Sequence, residues 1–493
     1  MKKLLLTGLI ALGLFTVGCS DNDNEPIDNG KPGSDMVGHL TLSLHSGSMS
    51  QTRTSEHQPG REVGEGKEIV INNVTVVITD ANGAIKEVKT PELATTGGTS
   101  TKQFEIQAGT DLKVFALVNN ATAIKENDFT GKSITDLVTA TTAAEIAGGF
   151  KSESFFMTNE LSNPVTKENG TDRLSKYLDA GADLTIAAGE QKTVAIAVDR
   201  LAARVDDVTT APNIDGLKGD VNGKVATYLD AVEVVGFVPL NANASMNPIQ
   251  TWEKIKVQKT VVKPAEDVEG YVLSTPLIDT DTPTTYFFGV DNYKEDNAEG
   301  IGIKDLTKVG DYVKKAYVTE NRPTITGHSN PDIYWTSPKR GATTGVIYRV
   351  QAKLNGNNAE TFYVYADNIY AKGQEAELNK ELAKAGVTLP DGQTEFSIEE
   401  YRAANVRVYE NGVMYYTYMI KDNNTKYQLD GKDYYGVFRN SIYKLNVTTL
   451  SKLGDDVPEG DKDKEDPVDP ENAYLTVIVN VNDWVLNTID IPF

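Results

Sequence analysis

One cysteine in 493 residues excludes an internal disulfide, so the framework usual in small secreted domains is absent. Thiol catalysis is left without a candidate once that cysteine is assigned elsewhere. Histidine is almost as scarce: the four residues at 39, 45, 57 and 328 form no H-x-x-x-H or other metal-ligand spacing. His39 and His45 fall on the polar face of a strand pattern and read as solvated. Positive charge is short as well. With 48 basic against 70 acidic residues the net charge is −22, which argues against nucleic acid and anionic membrane surfaces as partners. "GEGKE" (64–68) is no phosphate loop, because Arg61 stands where the first Gly should be and Glu68 where Ser or Thr should be. Carboxylates are too many for the sequence to nominate a catalytic pair. No catalytic residue, metal ligand or cofactor is expected, and the chain reads as a non-enzyme.

What is present begins with a targeting segment. Lys2 and Lys3 precede an apolar run from Leu4 to Val17, of signal-peptide length and short for a membrane span. It ends "FTVGCS", and Gly18-Cys19 resembles a bacterial lipobox, with Thr16 departing from the Leu that the pattern prefers. Cys19 is therefore the expected lipid attachment site, with a palmitate-type acyl anchor on the precursor. Residues 1–18 read as signal peptide. "SDNDNEPIDNGKPGSD" then makes 19–35 an acidic tether with little to bury.

Most of the remainder reads as strands. "HLTLSLH" alternates Leu40, Leu42 and Leu44 with polar residues, the period of a strand with one buried face. A polar Gly/Ser loop with Arg53 and Arg61 follows it. "IVINNVTVVITDANGAIKEV" (69–88) turns at Asn82-Gly83, and "VRVYENGVMYYTYMI" (406–420) is expected to be a hairpin about Asn411-Gly412. The tyrosines from 409 to 443 read as half-buried sheet surface. Helical patterns are few: Ile134, Leu137 and Val138 after Ser133, and Leu378, Leu382 and Ala385 on one face. Many short strands with turn signals predict an all-β chain of two β-sandwich domains. These span 36–200 and 201–454. "DDVPEGDKDKEDPVDP" (455–470) lies in an acidic linker over 455–472 that sets apart a last strand, "AYLTVIVNV".

Several segments together resemble the fimbrillins, the subunits of type V pili of Bacteroides-like bacteria, and by length their longer, minor-fimbria-like branch. "LKVFALVNN" (112–120) is similar to their strand ending in a Val-Asn pair, and "SFFMTNE" (154–160) to their Met-Ser/Thr segment. "VDRLAARVD" (198–206) resembles their Arg-x-x-Ala-Arg junction strand. "VFRNSIYKLNVTTLSKLG" (437–454) resembles the R-N-x-x-Y strand before a linker, and "LTVIVNVNDWVL" a donor strand with a late Trp-Val.

The resemblance implies transthyretin-like sandwiches and a lipidated outer-membrane precursor. An arginine-specific or trypsin-like protease cuts it after an arginine, here Arg53 with Arg61 as the alternative. The first strand (37–53) is then removed, and the vacated groove receives the C-terminal strand of another copy. The product is an extracellular fimbrium that supports adhesion, built with accessory fimbrial subunits. Leu475, Val477, Val479 and Val481 form the expected inward face of the donor strand (473–493), with Trp484 beyond them. Burying those four would contribute about 6 to 12 kcal/mol gross. The linker of about 16 residues, at roughly 3.1 Å each, reaches on the order of 50 Å. That strand is expected to stay out of its own domain's core. Two rival readings are a surface-anchored glycan-binding lipoprotein using aromatics such as Trp252 or Trp335, and an accessory or tip fimbrial protein.

Overall fold

The computed structural model describes residues 36–46, 61–96, 98–120, 131–137, 141–142, 155–161, 165–243, 245–258, 267–273, 288–289, 312–321, 340, 343–422, 434–458 and 474–485. The chain is all-β with few short helices. β1 (Val37–Ser46) enters one sheet, and β2 (Arg61–Val63) crosses to another. The first sheet then collects β3 (Val74–Thr79), β4 (Ile85–Lys89), β5 (Phe104–Gln107), β6 (Gly109–Val118), β7 (Met157–Asn159), β8 (Ala182–Ile186) and β9 (Gln191–Arg200). Its order is β4-β3-β6-β7-β9-β1-β5, with β8 also on β6. The β3–β4 turn is the one Asn82-Gly83 signals. Gly83 sits at φ +88°, where only glycine is unstrained. The Asp80 Oδ1 accepts from the amides of Asn82 and Ala84, each at 3.0 Å.

The chain passes from β9 into β10 (Ala202–Asp207) and so into the second sandwich. There follow β11 (Ala231–Leu240), β12 (Lys315–Thr319), β13 (Gly345–Leu354), β14 (Val413–Met419), β15 (Ser441–Leu450) and β16 (Leu475–Val485). One sheet runs Phe288–Gly289, β12, β10, β15, β16, β2, and a facing sheet is built on β13 with β11 and β14 beside it. Val205, Val318, Leu445 and Val447 from the first meet Phe237, Tyr348, Val350 and Tyr416 from the second in one buried core. Alternation along each strand thus becomes two inner faces packed together.

A small unit lies beside this sandwich. Phe362–Tyr365, Asn368–Ala371 and Arg407–Tyr409 make a three-stranded sheet. It packs on α1 (Glu375–Lys384) and α2 (Ile398–Ala403). Leu378 and Leu382 are fully buried on α1, as their spacing predicts. Ser397 caps α2 reciprocally with Glu400.

Three local expectations are corrected. The Asn411-Gly412 turn exists, with φ of +51° and +68°, but its arms do not pair with each other. Arg407–Tyr409 joins the small sheet and β14 joins β13. Among the described residues the segment after Ser133 forms a 3-10 turn, Ile134–Leu137, and Val138 lies outside them. The tyrosines are also deeper than expected: Tyr409, Tyr415, Tyr416, Tyr435 and Tyr443 are all buried.

Candidate functional site

The first strand is an interior strand of its sheet. On one side β1 runs parallel to β9, from His39 opposite Gln191 to Ser46 opposite Val198. On the other it is antiparallel to β5 over Val37–Leu40, and beyond that the chain at Thr99–Thr101 takes over. The Leu44 amide donates to the Thr99 carbonyl at 2.7 Å, and the Leu42 carbonyl accepts from the Thr101 amide at 3.0 Å. The Leu42 amide donates to the Thr101 Oγ1 at 2.9 Å. Leu40, Leu42 and Leu44 are at most 2% exposed. At about 1.5 to 3 kcal/mol each, their burial stabilises the precursor by roughly 5 to 9 kcal/mol gross. Position 38 on the same face is closed: a Cβ on Gly38 would stand 2.6 Å from the Ile186 side chain. Removing β1 would leave a slot with three leucine-sized places and one blocked place between two strands offering ladder groups.

The C-terminal strand is likewise an interior strand of the other sandwich, with its long neighbour antiparallel and its short one parallel, the reverse of β1. β16 pairs antiparallel with β15, from Leu475 opposite Leu450 to Asp483 opposite Ser441, with a bulge at Val447–Thr449. Leu475 and Val479 belong to the second core and Val477 packs against it, while Thr476 and Ile478 face outward. That is the phase the alternation predicts. The side chains of Val481 and Trp484 lie outside the described residues, although their backbones pair with Tyr443 and Glu62. The expectation that this strand stays out of its own domain is therefore corrected. Closing the excursion 451–474 carries an entropic penalty that grows only logarithmically with length, and the apolar face of the strand finds a matching core.

Of the two candidate arginines, Arg53 lies outside the described residues, as does Cys19. Arg61 is the first residue of β2, which runs parallel to the end of β16 with Arg61 opposite Asp483, Glu62 opposite Trp484 and Val63 opposite Val485. Glu62 is ion-paired to Arg204 of β10 and Lys444 of β15. Six residues on, the buried Glu68 accepts from the Arg204 Nη1 at 2.9 Å and from the Tyr317 hydroxyl. Its backbone carbonyl accepts from the Arg200 Nε at 2.8 Å. Arg204 also donates to Asp206 at 2.8 Å. Burial opposes the charge on Arg204, but Asp206, Glu68 and Glu62 hold its pKa above the ordinary value. Burial pushes Asp206 up against the pull of Arg204, and burial with the Glu68 bond pushes Tyr317 up. A buried network of this kind is high-stakes: complete, it fixes one geometry, and with one member removed it leaves a buried charge.

Several of the motifs singled out in the sequence meet around this network, and the others tie strands within a single sandwich. Arg200 and Arg204 come from "VDRLAARVD". Arg439 of the R-N-x-x-Y strand holds the buried Glu320 at 3.0 Å, and Asn440 bridges Arg200 and Asp199 at 2.9 and 2.7 Å. The Tyr443 hydroxyl donates to Asp422 at 2.7 Å. Asn119 of "LKVFALVNN", at φ +56°, donates to the carbonyls of Val70 and Phe155. Asn159 of "SFFMTNE" accepts from the Ala116 amide and donates to the carbonyls of Val114 and Ala180. These residues carry architecture, which is why each segment alone looks like a generic strand. Sequence reasoning missed Glu62 and Glu68. The one available signal was an acidic pair flanking "GEGK" with no catalytic partner.

Two family models match the chain: Major fimbrial subunit protein (FimA) over residues 39–234, and Major fimbrial subunit protein type IV, Fimbrillin, C-terminal over 407–490, together more than half of it. The chain belongs to the fimbrillin family of fimbrial subunits. Among solved structures this fimbrillin is similar to a fimbrilin (fimA) from Porphyromonas gingivalis W83, with 14% identity and a TM-score of 0.44, covering 91% of this chain and 98% of that one. It is similar to a putative cell adhesion protein from Parabacteroides distasonis, with 15% identity and a TM-score of 0.41, covering 91% and 100%. It is also similar to the tip fimbrial protein Mfa3 from Porphyromonas gingivalis with C-terminal truncation, with 12% identity and a TM-score of 0.32, covering 91% and 100%. No curated protein matches this fimbrillin.

Proposed function

We propose that this fimbrillin is exported as a lipoprotein acylated at Cys19, cut after an arginine, and polymerised by strand exchange into a surface fimbrium that supports adhesion. The first strand would leave after the cut at Arg53, and the C-terminal strand of another copy would fill its place. The observation that carries this reading is the seat of β1: an interior strand with three buried leucines, followed in the sequence within ten residues by an arginine in a polar stretch. Losing it opens a slot that a strand with Leu475, Val477 and Val479 on one face can fill by strand addition. Its partners are further copies of itself, accessory fimbrial subunits and an arginine-specific or trypsin-like protease. The glycan-capture reading loses one of its aromatics, since Trp252 is 4% exposed and stacks on Phe438 at 6.3 Å. Trp335 lies outside the described residues.

The test is the N-terminal residue of protein sheared from cells. Thr54 is expected, Glu62 would move the cut to Arg61, and an acylated Cys19 on assembled fibres would refute the processing step.

A further inference from the structure

Segment 61–69 leaves the first strand's loop, borders the C-terminal strand, and then dives into the junction between the sandwiches. β2 closes the sheet order beside β16, pairing at residues 483–485. A three-residue strand is too short to hold itself by ladder bonds alone, each contributing about 0.5 to 1.5 kcal/mol net. Its hold comes from two carboxylates at different depths. The Glu68 side chain is 2% exposed and bound by Arg204, Tyr317 and, through its carbonyl, Arg200. The Glu62 side chain is 24% exposed and ion-paired to Arg204 and Lys444. Beyond Glu68 the chain continues to Ile71, which is buried in the first core. The segment is thus held by a buried carboxylate at its inner end and by a part-exposed one at the end that touches the C-terminal strand.

We propose that residues 61–69 form a latch that keeps the C-terminal strand closed in its own domain, with Glu62 as the release point and Glu68 as the hinge-side anchor. This rests on the strand-exchange reading and adds its control: the donor is held back by the segment directly downstream of the strand that must leave. Breaking the Glu62 contacts frees β2 while Glu68 keeps the junction intact, so the latch opens without unfolding either sandwich. The two arginines then have opposite consequences. A cut after Arg53 leaves β2 whole, so the C-terminal strand is released only when the Glu62 contacts break during assembly. A cut after Arg61 removes the residue opposite Asp483 and sets a new ammonium on Glu62, whose carboxylate pairs Arg204 and Lys444, which loosens the latch.

The test is amide hydrogen exchange on the full chain. Glu62→Ala and Glu62→Gln should speed exchange in 475–485 about tenfold, with amides of 37–46 and 345–354 unchanged. Glu233→Gln, which breaks the exposed pair with Lys353, should change none of them. Unchanged rates in 475–485, or acceleration spread over both sandwiches, would overturn the latch. A second arm uses Val63→Cys with Val485→Cys in a Cys19→Ser chain. Oxidation should slow exchange across 475–485 and reduction should restore it, and equal rates in both states would also overturn it. Fibre formation is scored separately. The exchange reading fails if chains lacking 473–493 still polymerise, whichever way the amide rates fall.

Discussion

Leu42→Ala separates a strand that stays from a strand that leaves. Leu42 is fully buried in the first core, its amide and carbonyl are both bonded to Thr101, and it stands opposite Val194 of β9. With backbone pinned on both sides the site has little freedom to collapse, so the truncation leaves most of the cavity. Core Leu→Ala changes cost about 2 to 5 kcal/mol, and this geometry points to about 3 or more. For a sandwich of this size, with a urea dependence of about 2 kcal/mol per molar, the first sandwich should unfold about 1.5 M earlier in the precursor. Hydrogen exchange of the β3 and β6 amides in urea reads that transition without interference from the second sandwich. After processing, β1 is gone under the proposed mechanism and position 42 with it. Fibres assembled from the variant and from wild type should then dissociate at the same denaturant concentration. A variant fibre weakened by the same 1.5 M would mean that β1 remains in the assembled subunit, and strand replacement would be refuted. A precursor indifferent to the change would refute the burial argument itself.

Cys19→Ser should abolish incorporation of a fatty-acid analogue, and equal labelling of both chains would exclude that thiol as the lipid site. Arg53→Ala should leave the precursor uncut and unpolymerised, because the Arg61–Glu62 peptide lies in a paired strand that must open to enter a protease cleft; normal processing of this variant, lost only on Arg61→Ala, would reverse the assignment. Val479→Asp puts a carboxylate at a position only 9% exposed and should destabilise the second sandwich of the isolated chain by several kcal/mol as well as blocking fibres; an unchanged melting profile would place the strand outside its own core. Arg204→Met should cost about 3 to 5 kcal/mol by leaving Glu68 and Asp206 without their hydrogen-bonded guanidinium, read as a lowered melting temperature, and Glu68→Gln in the same chain should recover part of it.

How far these features could be read from the sequence depends on how local their cause is. The phases of β1 and β16 are legible because alternation at 40, 42, 44 and at 475, 477, 479 is a property of adjacent residues. The Asn82-Gly83 turn is legible for the same reason, and so is α1 with Leu378 and Leu382. Asn411-Gly412 shows the limit. The turn chemistry fixes a reversal of the chain, yet the partners of each arm are chosen by strands at 362–365 and 345–354. A Cβ on Gly412 would lie 2.7 Å from that of Ala359, so the glycine serves packing between sheets as much as the turn. Glu68 reads as an ordinary loop acid, because the arginine that makes it a core residue is 136 positions away. The closing of β16 onto β15 was hidden by the acidic linker, whose composition disfavours collapse but hardly raises the entropic penalty of returning.

Under the proposed strand exchange, its direction would follow from the faces of the strands. β1 and β16 are each bordered by one long neighbour and one short one, so moving the C-terminal strand of one copy into the slot of another leaves the main-chain ladder nearly balanced. The outer faces differ. In the slot, the outward positions His39, Thr41, Ser43 and His45 are half-buried. In its own sheet, β16 leaves Ile478 52% exposed, and the adjoining Tyr474 is 43% exposed. A strand with apolar residues on both faces is therefore under-used where it sits. Partial covering of those two side chains would contribute on the order of 1 kcal/mol each, beyond the inward face that either seat buries. The same proposed step would fill the cavity left by three leucines, which a processed subunit could not fill from its own first strand. Because the slot and the tethered strand are different surfaces of one chain, the proposed contact would be heterologous, and its repetition would extend head to tail without having to close into a ring.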